Sequence, residues 1–187
     1  YDTLGRLDVL RHWNDVNDNG VLDPGEMRAE FDYTVRSDGK RTGSVERIWN
    51  ENGSFVSNQT FLWDYDEADR LIQEVATGIA GGDYELDWIY DLVGNRTSQT
   101  KALKNGVGTV IATETTGYTY DANDRLESES FTRTGTSPSS STTTYTYNKT
   151  QQVGKTTTGG GVTTIQSFKY NLQGRLASVI NQTSDQP

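Results

Sequence analysis

The chain has 187 residues, of which 32% are hydrophobic and 23% charged, and it contains no cysteine. The lack of cysteine excludes disulfide frameworks, cysteine nucleophiles, thiolate zinc sites and iron–sulfur clusters. The single histidine, His12, excludes histidine-rich metal centres and argues against a Ser-His-Asp relay. A chain of this length is expected to form one modest domain.

Acidic side chains outnumber basic ones, and the excess lies in the first half of the chain. There are 26 Asp and Glu residues against 17 Lys and Arg, a net charge of −9. Residues 1–95 carry 20 acidic and 8 basic side chains, whereas residues 96–187 carry 6 and 9. This balance excludes a typical nucleic-acid binder, but it suits solubility and can supply carboxylate ligands for calcium.

The sequence predicts a segment of a longer protein that does not itself enter a membrane. No stretch approaches the run of about 18 apolar residues that a membrane helix needs. The N-terminus lacks the basic and apolar regions of a signal peptide, and the chain starts with Tyr1 rather than Met.

Composition and short alternating stretches predict β-strands rather than helices. About one residue in seven is Thr, ten residues are Tyr, and only three are Pro. Aromatic or apolar residues occupy every second position in several short stretches, which places them on one face of a strand. These stretches are 61–65, 84–90, 118–120 and 144–147.

A seven-residue pattern recurs along the chain. It reads Tyr-Asp-Thr-Leu-Gly-Arg-Leu at the N-terminus and returns at 65–71, 120–126 and 170–176. In a variant at 90–96 the Arg stands one residue later, and degenerate copies lie at 31–41 and 145–148. The defining residues are Tyr1, Gly5, Arg6, Tyr65, Asp66, Arg70, Tyr90, Asp91, Gly94, Tyr120, Asp121, Arg125, Tyr170, Gly174 and Arg175.

Each copy of the pattern predicts the turn of a β-hairpin. Tyr would end one strand, Gly, Asp or Asn would supply the positive φ of the turn, and Arg-Leu would open the next strand. The Asp and Arg of one copy would then lie close enough for an ion pair across the turn. Such internal recurrence is typical of a repeat array.

These copies resemble the YD-repeat family, also called rearrangement-hotspot (Rhs) repeats, whose signature is Tyr-x-Tyr-Asp-x-x-Gly-Arg-Leu. The resemblance covers residues 1–187 as one array. It implies an all-β fold in which tandem hairpins form an arc of a spiralling sheet, part of a hollow shell. It also implies a non-enzymatic, secreted or cell-surface bacterial protein. Its partners would be the rest of the parent chain or an enclosed C-terminal domain, such as a toxin or an adhesin.

Residues 15–26 read Asp-Val-Asn-Asp-Asn-Gly-Val-Leu-Asp-Pro-Gly-Glu, a match to the twelve-residue calcium loop of EF-hands and dockerins. Oxygen ligands at flexible spacing favour Ca²⁺ over Mg²⁺, which demands tighter octahedral geometry. With three carboxylates and no partner hand, the expected dissociation constant is about 0.1 to 1 mM. An Asx-rich turn without metal is the alternative. The predicted ligands are Asp15, Asn17, Asn19, the Val21 carbonyl, Asp23 and bidentate Glu26.

The strands expected on both sides would place this loop at a hairpin tip, in contrast to the paired helices of an EF-hand. Gly20 would allow the sharp turn within the loop. A short helical turn after Pro24 is the competing expectation for the residues that follow.

Other residues leave a second function open. Four Trp residues and the rows of Tyr would either fill a sheet core or stack on sugar rings. The alternative function is therefore a calcium-dependent module that binds a glycan or a surface protein. No enzyme is predicted. The carboxylates between 64 and 69 and between 83 and 91 could form a glycosidase pair, but solvent-exposed strand faces explain them equally well. The Ser/Thr/Gly-rich stretches 134–144 and 156–164 are expected to be hairpin loops or flexible links.

Overall fold

The protein is described here by a computed structural model over residues 1–149 and 151–185. Thr150, Gln186 and Pro187, which belong to the predicted array, lie outside the described residues. Over these two ranges the chain forms thirteen β-strands and no helix, so the all-β prediction is confirmed. Consequently, no helix in this part of the chain could span a membrane.

The strands form one open antiparallel sheet in which the spatial order is the chain order. The four stretches predicted from alternation lie in the fourth, sixth, eighth and tenth strands. The strands are β1 Val9–Trp13, β2 Met27–Val35, β3 Arg41–Trp49, β4 Phe55–Tyr65, β5 Leu71–Thr77, β6 Tyr84–Tyr90, β7 Arg96–Lys104, β8 Val110–Tyr120, β9 Leu126–Gly135, β10 Ser139–Asn148, β11 Gln151–Gly159, β12 Val162–Tyr170 and β13 Leu176–Asp185.

The Ser/Thr/Gly-rich stretches are mostly strands, so the prediction of loops or flexible links was wrong. The 134–144 stretch lies largely in β9 and β10, and only two glycines separate β11 from β12. Threonine is β-branched and suits a pleated strand, where its hydroxyl can bond across to a neighbour. Thr143 and Thr157 face each other in this way, with their Oγ1 atoms 3.0 Å apart.

The chain divides into two compact units, each with very little apolar core. The first comprises Tyr1–Asp87 with Leu103–Thr109, and the second Trp88–Ala102 with Val110–Pro187. Ala76 at 0% exposure and Ala112 at 2% are the buried hydrophobic residues among those described, and no large side chain there is fully buried. Globular domains normally pack two layers of secondary structure around a core. With so few buried apolar residues in each unit, most side chains are covered only by neighbours in the same sheet.

One cross-strand row in the first unit shows how side chains of the same sheet cover one another. Tyr33, Ser44, Phe61, Ala76 and Tyr84 are successive partners across β2 to β6. Aromatic and small residues alternate along this row, and the two small residues are the buried ones. The rings therefore cover the small residues between them, which partly replaces the missing second layer.

Tyrosines near the ends of four even-numbered strands form hydrogen bonds to the preceding strand. Each hydroxyl donates a hydrogen bond to a main-chain carbonyl at or next to the first residue of the preceding strand. This contact explains why the repeat places a tyrosine before its turn. The pairs are Tyr65 to Arg41 at 2.9 Å, Tyr120 to Arg96 at 2.8 Å, Tyr147 to Leu126 at 2.8 Å and Tyr170 to Gln152 at 2.7 Å.

Replacing Tyr120 with Phe removes one of these hydrogen bonds and keeps the ring. We expect the free energy of unfolding to fall by about 0.5 to 1.5 kcal/mol, which lowers the Tm by about 1 to 6 °C. Thermal unfolding followed by circular dichroism measures the change. Tyr118→Phe is the control, because the hydroxyl of Tyr118 has no hydrogen-bond partner among the described residues. Equal Tm values for the two variants would contradict the prediction.

Candidate functional site

The predicted calcium loop, residues 15–26, connects β1 to β2. Strands flank it on both sides, as the sequence predicted, and the expected helical turn after Pro24 does not form. Asp18 and Gly20 have φ angles of 58° and 72°. These left-handed positions, which Gly adopts freely and Asp tolerates, reverse the chain direction within a few residues.

Glu26 holds the two ends of the loop together. Its side chain is only 4% exposed. Oε1 accepts a hydrogen bond from the Val16 N–H at 2.9 Å, and Oε2 accepts one from the Asp23 N–H at 2.9 Å. Its main-chain carbonyl accepts the Asn14 N–H at 3.0 Å. The last residue of the predicted ligand set is therefore also the structural anchor of the loop.

Asp15 and the two asparagines organise the first half of the loop. Oδ1 of Asp15 accepts the Asn19 N–H at 3.1 Å, and Oδ2 accepts the Gly20 N–H at 2.7 Å. The side-chain amides of Asn17 and Asn19 both donate to Oδ2 of Asp23, at 2.7 and 2.8 Å. The carboxylates of Asp15 and Asp23 are thus held by hydrogen bonds from within the loop.

All six predicted ligand residues belong to this one hydrogen-bonded network. The amide nitrogens of the two asparagines, rather than their oxygens, point to Asp23. Val21 contributes its N–H, which donates to the Asn19 side-chain oxygen at 2.7 Å, and its side chain is exposed. No group of three or more His, Cys, Asp or Glu placed to hold a metal is found in the described part of the chain.

The carboxylates of the loop form no ion pair with other described residues. Within the described ranges, no Lys, Arg or His lies at ion-pair distance from Asp15, Asp18, Asp23 or Glu26. A buried carboxylate such as that of Glu26 is normally paired with a cation or bound to a metal. In this structure the Glu26 carboxylate is held by the N–H groups of Val16 and Asp23.

The repeated turns share one backbone geometry. The first residue donates its N–H to the carbonyl of the fifth and accepts the N–H of the fourth. This is a three-residue hairpin loop, a type I turn closed by a left-handed residue and a bulge. Eight segments in the described ranges form it. They are 2–6, 36–40, 50–54, 66–70, 91–95, 105–109, 121–125 and 171–175.

A left-handed residue occupies the fourth position of every such turn. In six turns it is Gly, and in the other two it is Asp69, with φ 66°, or Asp124, with φ 57°. Register shifts at the residues just before the turns, such as that between Asp64 and Tyr65, place the bulge where this turn type requires it. Tyr65 consequently pairs with Leu71, and Tyr120 with Leu126.

An Asp or Asn side chain caps seven of these eight turns. In the turn 66–70, Oδ1 of Asp66 accepts the N–H groups of Ala68 and Arg70 at 3.0 and 2.9 Å. Arg36, the first residue of the turn 36–40, is the exception, and there the Asp38 carboxylate accepts the Lys40 N–H at 3.1 Å. The other capping residues are Asp2, Asn50, Asp91, Asn105, Asp121 and Asn171.

The predicted ion pairs between Asp and Arg are confirmed in three turns. Oδ2 of Asp2, Asp66 and Asp121 lies 2.6 to 2.7 Å from the guanidinium of the Arg four residues later. The main-chain N–H of that Arg is the largest influence on the pKa of Asp2 and Asp66, and it lowers both. The Arg125 side chain lowers the pKa of Asp121 most.

Two predicted repeats depart from this arrangement. In the variant at 90–96, Asn95 takes the place of Arg, and its amide donates to Oδ2 of Asp91 at 3.1 Å. Desolvation would raise the pKa of Asp91, but hydrogen bonds from residues 93–95 outweigh it and lower the pKa. Asn171 caps its turn through Oδ1, and no Asn171–Arg175 ion pair can form because Asn carries no charge.

The tyrosine of the first copy differs from those of the later copies. Tyr1 is 82% exposed, and its amino group pairs with Asp8.

The turn 2–6 and the turns that follow even-numbered strands are linked to their neighbours through polar contacts. The Arg6 guanidinium donates to the Arg36 carbonyl, and Lys40 pairs with Asp69. In the second unit, Asn95 donates to the Asp124 carboxylate at 2.9 Å. Further along, Arg125 donates to the Lys149 carbonyl, and Gln151 donates to the Gly174 carbonyl at 3.3 Å. The fifth residue of a turn therefore often binds the next such turn.

Sequence reasoning missed two turns of the same kind. The turns 50–54 and 105–109 follow odd-numbered strands and have neither the Tyr before them nor an Arg at the fifth position. They keep only the Asn at the first position and the Gly at the fourth. A search for Asn followed three residues later by Gly, without the flanking Tyr and Arg, would have found them.

The resemblance to YD repeats stays a prediction. No protein-family model matches this sequence, and no curated protein matches it. Support for a repeat array comes instead from the common geometry of turns that are far apart in the chain, such as 66–70 and 121–125.

Acid should destabilise the protein through the turn carboxylates. Asp2, Asp66, Asp91 and Asp121 have folded-state pKa values below the ordinary value of about 3.9. Their contribution to stability is complete above that value and is lost as the pH falls through the lower, folded pKa. We expect the urea midpoint to hold steady from about pH 7 to 5 and to fall below about pH 4.

The double variant Asp66→Asn, Asp121→Asn provides the control for this titration. Asn keeps the capping oxygen, as Asn171 does, but cannot titrate. We expect the variant to retain the fold at neutral pH and to lose less stability between about pH 5 and 2 than the parent. Identical pH dependence in both proteins would show that the turn carboxylates do not cause the acid sensitivity.

Proposed function

We propose that this chain is a structural repeat segment of a secreted or cell-surface protein, whose strands build the wall of a β-sheet that encloses or displays another domain. The observation that carries the proposal is the recurrence of one turn geometry after β2, β4, β6, β8 and β12, with an Asp or Asn cap in all but the first of these turns. The repeating unit is accordingly one hairpin, which packs mainly on its neighbours.

The distribution of buried and exposed residues supports a wall rather than a compact binding domain. Within each unit the described side chains lack a second layer, and Ala76 and Ala112 are the buried apolar ones. Paired strands with satisfied backbone groups form a stiff barrier even when both faces are accessible. The extracellular location and the enclosed partner come from the resemblance to YD repeats alone.

A modular array should tolerate the removal of whole hairpins. Deleting residues 66–120 joins Tyr65 to Asp121 and recreates the Tyr-Asp-x-x-x-Arg-Leu pattern at the junction. We expect this shortened chain to remain all-β and to unfold cooperatively, because β4 can pair with β9 through the turn 121–125. Circular dichroism and thermal unfolding measure both properties.

The matched control deletes residues 66–119 and leaves one extra Tyr at the junction. The extra residue breaks the match between the pairing that the turn sets with β9 and the pairing that β4 already has with β3, so this variant should be much less stable. Equal stability of the two deletions, or the loss of cooperative folding in the first, would contradict the modular interpretation.

We propose in addition that residues 15–26 bind Ca²⁺. The donor set fits: carboxylates, amide oxygens and a main-chain carbonyl are the ligands that Ca²⁺ takes in flexible loops. Glu26 is buried with no cationic partner among the described residues, a state that a bound cation would stabilise. Binding would require Asn17 and Asn19 to turn their amide oxygens toward the ion, in place of the nitrogens that now donate to Asp23.

Bound calcium would make the first hairpin rigid. Asp15 and Glu26 lie at the two ends of the loop, next to β1 and β2, so a shared ion would link the ends of these two strands. Glu26 already bonds to Val16 and Asp23 through main-chain N–H groups, which leaves lone pairs on both carboxylate oxygens.

Calcium should raise the Tm of the chain. For a dissociation constant of about 0.1 to 1 mM, 10 mM Ca²⁺ contributes about 1.4 to 2.7 kcal/mol. This corresponds to an increase in Tm of about 3 to 10 °C relative to EDTA. We expect Glu26→Gln to abolish the increase, because the bidentate ligand is lost.

Asp18→Asn is the matched control for this experiment. It removes one negative charge from the same loop at a position outside the ligand set, and Asn tolerates its φ of 58°. The variant should keep most of the calcium response. A parent chain with the same Tm in calcium and in EDTA would overturn the calcium assignment and leave the structural role intact.

A further inference from the structure

The calcium loop touches the turn between β3 and β4, and no side chain lies between the two backbones. A Cβ atom on Gly53 would lie 2.4 Å from the carbonyl oxygen of Gly25 and 2.5 Å from its Cα. Both distances are too short for real atoms, so only glycine fits at this position. The loop and the turn 50–54 are therefore in direct van der Waals contact.

The position of Gly25 in turn depends on Glu26. Gly25 directly precedes this anchor, whose N–H donates to the Asp23 carbonyl at 3.2 Å. The Gly25 carbonyl, which faces Gly53, also accepts a hydrogen bond from Arg28 at 2.8 Å. A change in the geometry of Glu26 is consequently transmitted to the surface on which Gly53 rests.

We infer that calcium binding by residues 15–26 also fixes the turn 50–54, so that one ion orders two successive hairpins. This inference rests on the calcium site proposed above. The Gly53 N–H donates to the Asn50 carbonyl at 3.0 Å, and the Asn50 side chain caps the same turn. A fixed Gly25 restricts movement of the turn 50–54, because Gly53, its fourth residue, cannot move closer to the loop.

The coupling must act in both directions. If calcium stabilises the contact between Gly25 and Gly53, a substitution that breaks the contact weakens calcium binding by the same factor. This loss of calcium affinity should be specific to Gly53 among the left-handed glycines of this turn type, because the contact with Gly25 is made by Gly53. Gly108 has a φ of 80° in the turn 105–109, and a Cβ there would meet nothing within 4 Å.

Calorimetric titration with CaCl₂ tests this coupling on the full chain. Gly53→Ala and Gly108→Ala introduce the same methyl group at the same turn position with nearly the same φ, 74° and 80°. We expect Gly53→Ala to weaken calcium binding about 5-fold or more, and Gly108→Ala to bind as the parent does. Equal affinity of parent and Gly53→Ala would overturn the coupling while leaving the calcium site in place.

Hydrogen exchange on the unmodified chain provides a test that needs no variant. The N–H groups of Gly53 and Gly108 make equivalent bonds, at 3.0 and 2.9 Å, to the first residues of their turns. Calcium should slow exchange at Gly53 and leave Gly108 unchanged. Equal rates at Gly53 with and without calcium, in a chain that binds calcium, overturn the coupling alone. A parent chain that binds no calcium overturns both the coupling and the calcium site.

Discussion

Strand register in this protein depends on the five-residue turn with a capped first position and a left-handed fourth position. In most sheets the buried face sets the register, because a slip would expose it. Here few apolar side chains among the described residues are buried, so the faces give little preference. The turn sets the register instead, because its bulge fixes which residue of the first strand pairs with which residue of the next strand.

Contacts between successive hairpins add to this local constraint. The tyrosine hydroxyls bind the preceding strand, and the fifth residue of a turn often binds the turn two strands away. Each contact is individually weak, because most of the groups are partly exposed. The contacts recur, however, and stability in such an array is close to a sum over units and the interfaces between neighbours.

The sequence predicted the repeated turns well, because their chemistry is local. Asp66 and Arg70 bond to each other within the turn, which a short motif records, whereas the hydrogen bond from Tyr65 to Arg41 is not local and was not predicted. The turn at 50–54 was missed because the motif was defined with the flanking Tyr and Arg, whereas the backbone requires only Asn50 and Gly53. The Thr-rich strands were missed because low complexity was taken to indicate loops, whereas Thr143 pairs with Glu129 and Thr157 in the adjacent strands.

The calcium loop shows a different limit of sequence reasoning. Its six ligand candidates were predicted from spacing alone, and they do lie in one hydrogen-bonded network. That Glu26 also anchors the loop through main-chain N–H groups was not predicted, because the motif assigns its carboxylate to the ion. The contact between Gly25 and Gly53 could not be predicted, because it depends on how the loop and the turn 50–54 pack together.

The connections that follow odd-numbered strands differ greatly in length and sequence. They range from two residues, Gly160 and Gly161, to the stretch 14–26 that holds the predicted calcium loop. The connections after even-numbered strands are mostly the same short turn. One class of connection is therefore nearly uniform, while the other varies in length and sequence along the chain. New loops could be acquired at these positions during evolution, one hairpin at a time, without disturbing the pairing of the strands.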